Sequence, residues 1–493
     1  MHRLALVTSL CTTLFAARLA AGGTILYATA ASVGRVDGFC VGRGGALTPG
    51  ASVHADTGVD TELPGGHDTS SNPRRLLVGN GVLYVGERDR VEAFGIGPHG
   101  GLKFLNRTAL ISKPAMDVID MALSPDGKTL YVAQNGPDRI AAYPLDAAGV
   151  PNRDFASCIQ GRVNVSYRAL LVSNSNSLLY VSEQLAPGRI AIFPIDAGGG
   201  LGLAKCSTQR PELCQGGSRA GQGCTTDDTN ATTGCPGATC PGCCIVLRVC
   251  QGGSRAGQVC TTDGTNNATT GCPGAACPAC CVAATAPLSN RPRIQRPRSF
   301  RITGDRIYVE EVGTKRIKAF RLEADGLFPE PALQKQNRPH YEKPVSWTAS
   351  VVSYVDLVLF RSTLLASQFE KGRIDAYRLK PPDKCKRPGD CLPRQPTAHT
   401  NEDVRTTPVR MVTASRCSDG SNDSLACASA MDCPGGTCSS VLYVAAGELD
   451  RVQAFGLRPP DGLPAPTPFS QTDEQTGSFP NDVALAMLSE GCR

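Results

Sequence analysis

The chain has 493 residues and a net charge of +6, and 41% of its residues are hydrophobic. This composition is too apolar for a disordered protein, and the small net charge gives no reason to expect a nucleic-acid partner. A single Trp argues against the propeller classes that are built on a repeated Trp, and six His leave little material for His-rich sites. The 23 Cys are far above average usage, and they are clustered.

Residues 1–22 have the pattern of a secretory signal peptide. A basic start precedes an apolar run from Leu4 to Ala17, and small residues at 20–22 offer a cleavage site. The alternative is a buried N-terminal helix. Removing Cys11 with the signal leaves an even number of cysteines, for which disulfides are expected in an oxidising compartment. We therefore expect a protein that is secreted, periplasmic or on the cell surface, with no transmembrane segment in the mature chain.

Seven segments repeat one template: an apolar strand, a short polar turn, an Arg, a β-branched residue and, three positions further on, an aromatic residue. They start at Ile25, Val82, Thr129, Leu178, Arg306, Thr363 and Val441. The repeated Arg residues are Arg35, Arg90, Arg139, Arg189, Arg316, Arg373 and Arg451. The repeated aromatic residues are Phe39, Phe94, Tyr143, Phe193, Phe320, Tyr377 and Phe455. A residue required in every unit serves the fold of that unit rather than one site.

Each repeat reads as a β-hairpin, since its β-branched and aromatic runs alternate in polarity and are bounded by Gly, Pro and Asp. A strand precedes most hairpins and a variable fourth strand follows them. Seven four-stranded units predict an all-β, seven-bladed propeller with about 52 residues per blade. Two stacked sandwiches are the alternative.

The two ends of the repeat array complement each other. The N-terminal end enters at a second-strand sequence, and the C-terminal end finishes with an unpaired first strand from Phe479. Pairing them would close the ring and remove an exposed sheet edge. We predict that Val483–Met487 pairs with Leu26–Thr29.

The repeat resembles the lactonase-type seven-bladed propellers, which include bacterial 6-phosphogluconolactonase, carboxymuconate cyclase relatives and non-catalytic proteins with YVTN-type blades. The string ALSPDGKTLYVAQNGPDRIAAYPLDAAG at Ala122–Gly149 is the closest match. The resemblance implies the propeller fold. For the catalytic members it also implies His, Arg and Glu around the mouth of the central channel. Their P-R-H string reads NPRR here, at Asn72–Arg75.

Aligning the first strands on the following Tyr-Val predicts which residues line one end of the channel. In blade order these are Asp482, Arg75, Asp120, Arg168, Ser299, Ser346 and Arg410. Glu87, Glu183 and Glu310 end second strands and are expected near the same face, whereas no His falls in these positions. The candidate ligand-binding residues are therefore Arg75, Asp120, Arg168, Arg410, Asp482, Glu87 and Glu183. They could bind an acidic small molecule, or they could form mutual ion pairs in a structural channel.

Cysteine-rich segments interrupt the repeats. Two tandem copies begin at Cys214 and Cys250, and a shorter third copy begins at Cys417. They contain few large apolar residues, so disulfides must hold them. The disulfide candidates are Cys214, Cys224, Cys235, Cys240, Cys243, Cys244, Cys250, Cys260, Cys272, Cys277, Cys280, Cys281, Cys385, Cys391, Cys417, Cys427, Cys433 and Cys438. We expect Cys385 and Cys391 to close one turn, and Cys206 to pair with Cys158. Zinc binding by Cys-x-x-Cys is the alternative.

The domain boundaries follow from these features. They are a signal peptide at 1–22, blades one to four at 23–204, a tandem cysteine-rich insertion at 205–285, blades five to seven at 286–414, a short insertion at 415–440, and the end of blade seven with the closing strand at 441–493. The run Arg291–Arg301, with five Arg, is expected to be a solvated loop.

These observations favour an exported binding or surface scaffold protein, acting as a monomer and without a cofactor. Its partner would be an extracellular or periplasmic protein, a glycan or an acidic small molecule. The alternative is a lactonase or cycloisomerase-like enzyme that acts on an acidic sugar or organic-acid lactone, using Arg75, Arg168 and Arg410 with a Glu. No catalytic residue and no metal site can be assigned from the sequence.

Overall fold

In a computed structural model the repeats form seven antiparallel sheets arranged as a propeller, as the sequence predicts. The structure describes residues 23–57, 73–88, 90–108, 117–134, 139–160, 166–173, 178–184, 189–201, 296–312, 316–322, 354–385, 391–393, 395–402, 408–418, 436–473 and 479–490, the strand pieces 212–214, 223–224, 244–246, 248–250, 259–260, 281–283 and 343–344, and the single residues Cys427, Cys433 and Cys492. None of the helices in these ranges is long and apolar enough to cross a membrane.

Each blade runs from an innermost first strand to an outer strand. Blade one consists of Val483–Met487, Thr24–Ala30, Arg35–Cys40 and Val53–Asp56, and blade two of Arg75–Gly79, Val82–Gly86, Val91–Ile96 and Leu102–Arg107. Blade three consists of Val118–Leu123, Thr129–Gln134, Arg139–Pro144 and Ser157–Gln160, and blade four of Tyr167–Val172, Leu178–Glu183 and Arg189–Pro194.

Blade five consists of Pro297–Thr303, Arg306–Glu311, Arg316–Arg321 and Lys343–Pro344, and blade six of Tyr354–Phe360, Thr363–Gln368, Arg373–Arg378 and Ala398–His399. Blade seven consists of Pro408–Ser418, Thr437–Ala446, Arg451–Arg458, Leu463–Pro464 and Ser470–Gln471. Short 3₁₀ turns occur at Ala31–Val33, Arg43–Gly45, Pro382–Lys384 and Gly447–Leu449.

The second strand of each repeat lies in the core of the ring. In Thr24–Ala30 and Thr129–Gln134 every residue is buried, because both faces of a blade pack against neighbouring blades. The described core accordingly divides into seven apolar clusters, each shared by two adjacent blades, including the pair formed by blades seven and one. This arrangement excludes two stacked sandwiches.

The Tyr of the repeat connects one blade to the next. The hydroxyl of Tyr84 in blade two donates a hydrogen bond to the carbonyl oxygen of Gly149 in blade three, and Tyr131 donates to Gly199 in blade four at 2.9 Å. Both acceptors have positive φ, 78° and 81°, a conformation that favours Gly. Burial raises the pKa of the Tyr84 hydroxyl to about 12, so it remains a donor. The recurring Tyr and Gly therefore stabilise the ring itself.

The ring is closed by the C-terminal strand, as predicted. Val483–Met487 pairs antiparallel with Thr24–Ala30, with Ala28 opposite Val483 and Leu26 opposite Leu485. Tyr443 of blade seven also donates to the Gly45 carbonyl of blade one at 3.0 Å. The seam thus contains the same Tyr–Gly contact that joins blade two to blade three and blade three to blade four.

The repeated Arg has a structural role in the blades where its side chain is described. Arg90 donates to the Glu87 carboxylate at 3.1 Å, and Arg139 donates to Gln134 at 3.0 Å. Each pair connects the start of the third strand to the end of the second. In blades one and six the Arg instead pairs with an Asp two positions along its own strand, Arg35 with Asp37 and Arg373 with Asp375, both at 2.9 Å.

Four disulfides join described cysteines. Cys385–Cys391 closes one turn, as expected, and the short insertion is held by Cys417–Cys433 and Cys427–Cys438. These bonds leave none of the four module cysteines as a thiolate for zinc, although three of their sulfurs lie within 4.8 Å of one another. Cys158 is also disulfide-bonded. Its partner, like the expected partner Cys206, lies outside the described residues.

The sequence did not single out the fourth bond, Cys40–Cys492. It joins the third strand of blade one to the end of the chain, with 5.6 Å between the Cα atoms and 452 positions between the residues in sequence. The bond therefore fixes the C-terminal segment across the closing seam.

The tandem insertion contains two small sheets with the same register. In the first copy Cys214 lies opposite Cys244, and in the second Cys250 lies opposite Cys281. A third strand pairs with each first strand, at Gly223–Cys224 and at Val259–Cys260. The two copies therefore adopt one backbone arrangement. The side chains of the cysteines in these copies lie outside the described part of the structure, so the disulfides predicted within them stay predictions.

Candidate functional site

The strand register defines the residues at one end of the central channel. Arg75 pairs with Gly86, and the same position is taken by Asp120 opposite Ala133 and by Arg410 opposite Ala445. These residues stand where first strands begin and second strands end, so they share one face of the propeller. In blade one this position is occupied by Asp482, which precedes the pair Val483–Ala28.

Two positions differ from the sequence alignment. In blade four Leu170 pairs with Val181 after a bulge, so Ala169 takes the position of Arg75 and Arg168 lies one residue earlier. In blade six the first strand is Tyr354–Phe360, and Asp356 lies at the position that Arg75 occupies in blade two. Ser346, which the alignment had chosen, lies outside the described residues.

The Asp residues of this ring hold neighbouring blades together. Asp482 accepts a hydrogen bond from the Leu76 backbone N–H at 3.0 Å, and Asp120 accepts one from Leu170 at 2.8 Å. Asp356 accepts one from Met411 at 3.1 Å. Each Asp therefore uses one oxygen to fix the first strand of the next blade, and its second oxygen can face a cation.

Arg410 lies at the centre of the resulting ion-pair network. Its guanidinium reaches Asp356 of the adjacent blade at 3.3 Å and Asp120 of blade three at 3.5 Å. Blades three and seven are well separated around the ring, so this side chain spans the channel. The pKa of Arg410 is raised because Asp356, Asp120 and Asp482 together outweigh its burial. The positive charge of Arg410 is thus compensated by carboxylates of the protein itself.

Arg75 and Arg301 belong to the same network of charge-compensated residues as Arg410. Arg75 donates to the Ile119 carbonyl and lies 3.9 Å from Asp120. Burial, with the like charge of Arg410, lowers its pKa to about 10, so its cationic form is costly there. Arg301 reaches Asp356 at 3.3 Å. The interpretation as mutual ion pairs therefore describes these residues well.

Arg168 and Arg298 differ from that network. They occupy equivalent bulge positions in adjacent blades four and five, each half-buried. Arg168 donates to the Gln184 side chain at 2.9 Å, but neither guanidinium forms an ion pair with any described carboxylate. Burial and their mutual repulsion lower the pKa of Arg168. Burial lowers that of Arg298 too. This pair of cations can accept an anion.

Glu310 lies beside these cations. It follows Val309, which pairs with Phe300 across the bulge that holds Arg298. The side chain is fully buried, and no side chain in the described part of the chain donates to its carboxylate, which has only a weak backbone contact with Ser299. Its pKa is raised well above the ordinary value, because burial and Asp356 outweigh the attraction of Arg298 and Arg410. Glu310 can therefore hold a proton next to a candidate anion site.

Glu87 and Glu183 do not belong to this group. Glu87 is buried against Arg90, in the contact that joins two strands of its own blade. Glu183 ends the second strand of blade four and lies opposite Arg189. Both occupy the position that Gln134 takes in blade three, where Gln134 accepts a hydrogen bond from the repeated Arg and so joins two strands. The structure thus brings together Arg75, Asp120, Arg410 and Asp482, with Arg168 beside them.

The described end of the Arg-rich run before blade five is a strand rather than the expected solvated loop. From Pro297 onward it forms the first strand, so Arg298 and Arg301 point to the channel end rather than to bulk solvent. Among the His residues whose surroundings are described, His99 contacts Glu490 and His399 contacts the Thr400 carbonyl, both away from the Arg residues.

Comparison with known proteins supports the fold. No family model and no curated relative matches the chain. Among solved structures, the periplasmic gluconolactonase of Pseudomonas aeruginosa is similar with a TM-score of 0.54 and 12% identity, over 94% of this chain and 99% of that one. A candidate 6-phosphogluconolactonase of Bacteroides uniformis follows, with a TM-score of 0.53, 13% identity and the same coverage.

A third structure, a candidate 6-phosphogluconolactonase of Bacteroides fragilis, gives a TM-score of 0.50 and 14% identity over 94% and 98% of the two chains. The chain therefore has the fold of the lactonase-type seven-bladed propellers. At this level of identity the likeness concerns the fold alone.

Proposed function

We propose that the protein is an exported, monomeric propeller that binds a small organic acid at the channel end, without a cofactor. The observation that carries this proposal is the pair Arg168 and Arg298. The charge of the neighbouring Arg410 is compensated by ion pairs with Asp120 and Asp356, whereas neither Arg of this pair forms an ion pair in the described chain, where Asp117 and the buried Glu310 attract them only at longer range. An arriving carboxylate would relieve the repulsion between the two guanidinium groups and accept hydrogen bonds from both.

Calorimetric titration of the purified chain with six-carbon sugar acids tests the proposal. A charged hydrogen bond contributes about 1.5–3 kcal/mol, so Arg168→Ala and Arg298→Ala should each weaken binding by roughly 10- to 150-fold. Arg361→Ala is the matched control, because Arg361 lies in an exposed turn between first and second strands, at the opposite end of its blade. Absence of acid binding, or wild-type affinity in both channel variants, would refute the proposal.

A second candidate is hydrolysis of an organic-acid lactone. It is favoured by Glu310, a buried carboxyl that could exchange a proton beside the anion site, and by the similarity in fold to a gluconolactonase. A pH-stat assay with glucono-1,5-lactone distinguishes the two functions. Acid release above the spontaneous rate that disappears in Arg298→Ala supports the enzyme, and a spontaneous rate together with gluconate binding supports the binding protein.

A further inference from the structure

Glu310 is surrounded by charges from several strands. Arg298 lies on the first strand of the same blade, while Asp356 and Arg410 reach it from blades six and seven. On the third strand of its own blade Lys318 is already paired with Glu311 at 2.9 Å. In the adjacent blade, Glu183 ends the corresponding second strand.

A buried carboxyl in this position is destabilised in both its ionised and its protonated form. Ionised, it loses hydration and gains only a weak backbone contact from Ser299, because no side chain in the described chain donates to either oxygen. Protonated, its O–H needs an acceptor, and the described residues supply none. An oxygen of a ligand held by the neighbouring Arg298 would meet this need. The unmet hydrogen bonding of Glu310 thus points toward the same ligand as the two Arg residues.

We propose that Glu310 binds a proton together with the organic acid, and donates that proton in a hydrogen bond to a hydroxyl or carbonyl oxygen of the ligand. This inference rests on the proposed function, and it narrows the ligand class to hydroxy or keto acids. Their carboxylate would lie against Arg168 and Arg298, while a second oxygen would face Glu310. An acid with only a hydrocarbon chain satisfies the first contact but not the second.

The sign of the pH dependence follows from the charges. The ligand carboxylate adds negative charge near Glu310 and offsets Arg298, which lowers the pKa of that carboxyl in the free protein. Ligand binding therefore raises the proton affinity of Glu310, and by linkage a proton at Glu310 raises the affinity for the ligand. Affinity should fall up to tenfold per pH unit once Glu310 ionises in the free protein, and level off at lower pH.

Titration of the full chain with gluconate between pH 5 and pH 9, in buffers of different ionisation enthalpy, measures the protons taken up. Uptake should rise toward one proton per ligand above the pH at which Glu310 ionises in the free protein. Glu310→Gln, which resembles the protonated state, should bind with little pH dependence and no uptake, whereas the exposed Glu490→Gln should behave as wild type. If Glu310→Gln does not fold, the wild-type pH slope and proton count still decide the matter.

Hexanoate is the matched probe, since it has six carbons and a carboxylate but no hydroxyl. Gluconate should bind at least tenfold more tightly at pH 5, and Glu310→Ala should remove most of this preference. Gluconate binding without proton uptake, or equal affinity for both acids, would overturn this inference and leave the proposed function standing. If neither acid binds, the proposed function fails and the inference fails with it.

Discussion

The contacts between blades are formed by residues that recur, whereas the residues at the channel end differ from blade to blade. Between blades, one Tyr–Gly hydrogen bond recurs at several interfaces, from Tyr84–Gly149 to the seam at Tyr443–Gly45. At the channel end, equivalent strand positions carry Arg, Asp, Ala and Ser in different blades. Repeated residues thus build the ring, whereas the residues that vary give one sector of it a chemistry of its own.

Within the channel end the same contrast appears on a smaller scale. The Asp residues combine an inter-blade hydrogen bond with an ion pair, so their charges are used in folding. Arg168, Arg298 and Glu310 occupy one side, between blades four and five, and lack such pairing in the described chain. Variants of the two groups should therefore separate stability from binding.

The largest effect should come from opening the ring. Truncation after residue 478 removes the closing strand, the Asp482 contact to Leu76 and the Cys40–Cys492 bond together. Because blade one then loses its innermost strand and exposes a sheet edge, cooperative unfolding should disappear. Calorimetric melting measures this loss, and an unchanged transition would contradict ring closure. Cys492→Ser keeps the strand and should cost less, about 2–5 kcal/mol.

Asp356→Ala should have the next largest effect. Its side chain is 1% exposed and pairs with both Arg301 and Arg410 at 3.3 Å. Removing it leaves two cations without this counter-charge, of which Arg410 is only 13% exposed, so about 3–5 kcal/mol is expected. Urea unfolding gives the value, and Asp356→Asn, which keeps the acceptor for Met411, should lose less. A cost below about 1 kcal/mol would show that Arg410 depends mainly on Asp120.

Removal of single Tyr hydroxyls tests whether the seam is equivalent to the other interfaces. Tyr443→Phe and Tyr84→Phe each leave a buried Gly carbonyl without its donor, and each should cost about 1–3 kcal/mol. Chemical unfolding should show similar losses for the two variants, because the contacts are equivalent. A much smaller loss for Tyr443→Phe would mean that the closing strand alone carries the seam.

The sequence contains most of the information about the fold because every blade repeats it. The Arg and the aromatic residue recur in all seven blades and the Tyr in six, with Leu365 in its place in blade six, so seven weak strand signals combine into one strong prediction. The closing strand was predictable for the same reason, since an unpaired first strand at one end matches a missing one at the other. The Cys40–Cys492 bond lacked any such repeat and was missed.

The candidate site was only partly predictable, because it depends on local irregularities. A bulge before Leu170 shifts Arg168 by one position, and spacing to the next Tyr-Val does not reveal it. The inner strand of blade six starts later than its alignment suggested, so Asp356 was missed. Arg298 was hidden in a run of charges that resembled a solvated loop. The chemistry of Glu310 depends on burial by other blades, which no local pattern reports.

The smallest effect on the propeller should come from deleting 212–283. We propose that this segment is autonomous, because its two copies form separate sheets with their own equivalent register. The deletion makes the connection between blades four and five about fourfold shorter, which changes the loop-closure cost by only about 1 kcal/mol. The thermal midpoint should therefore move by no more than a few degrees, and the strand content by circular dichroism should remain. Non-reducing peptide mapping provides the independent check: disulfides running mainly from this segment into the blades, or zinc retained by the purified protein, would contradict the autonomous arrangement.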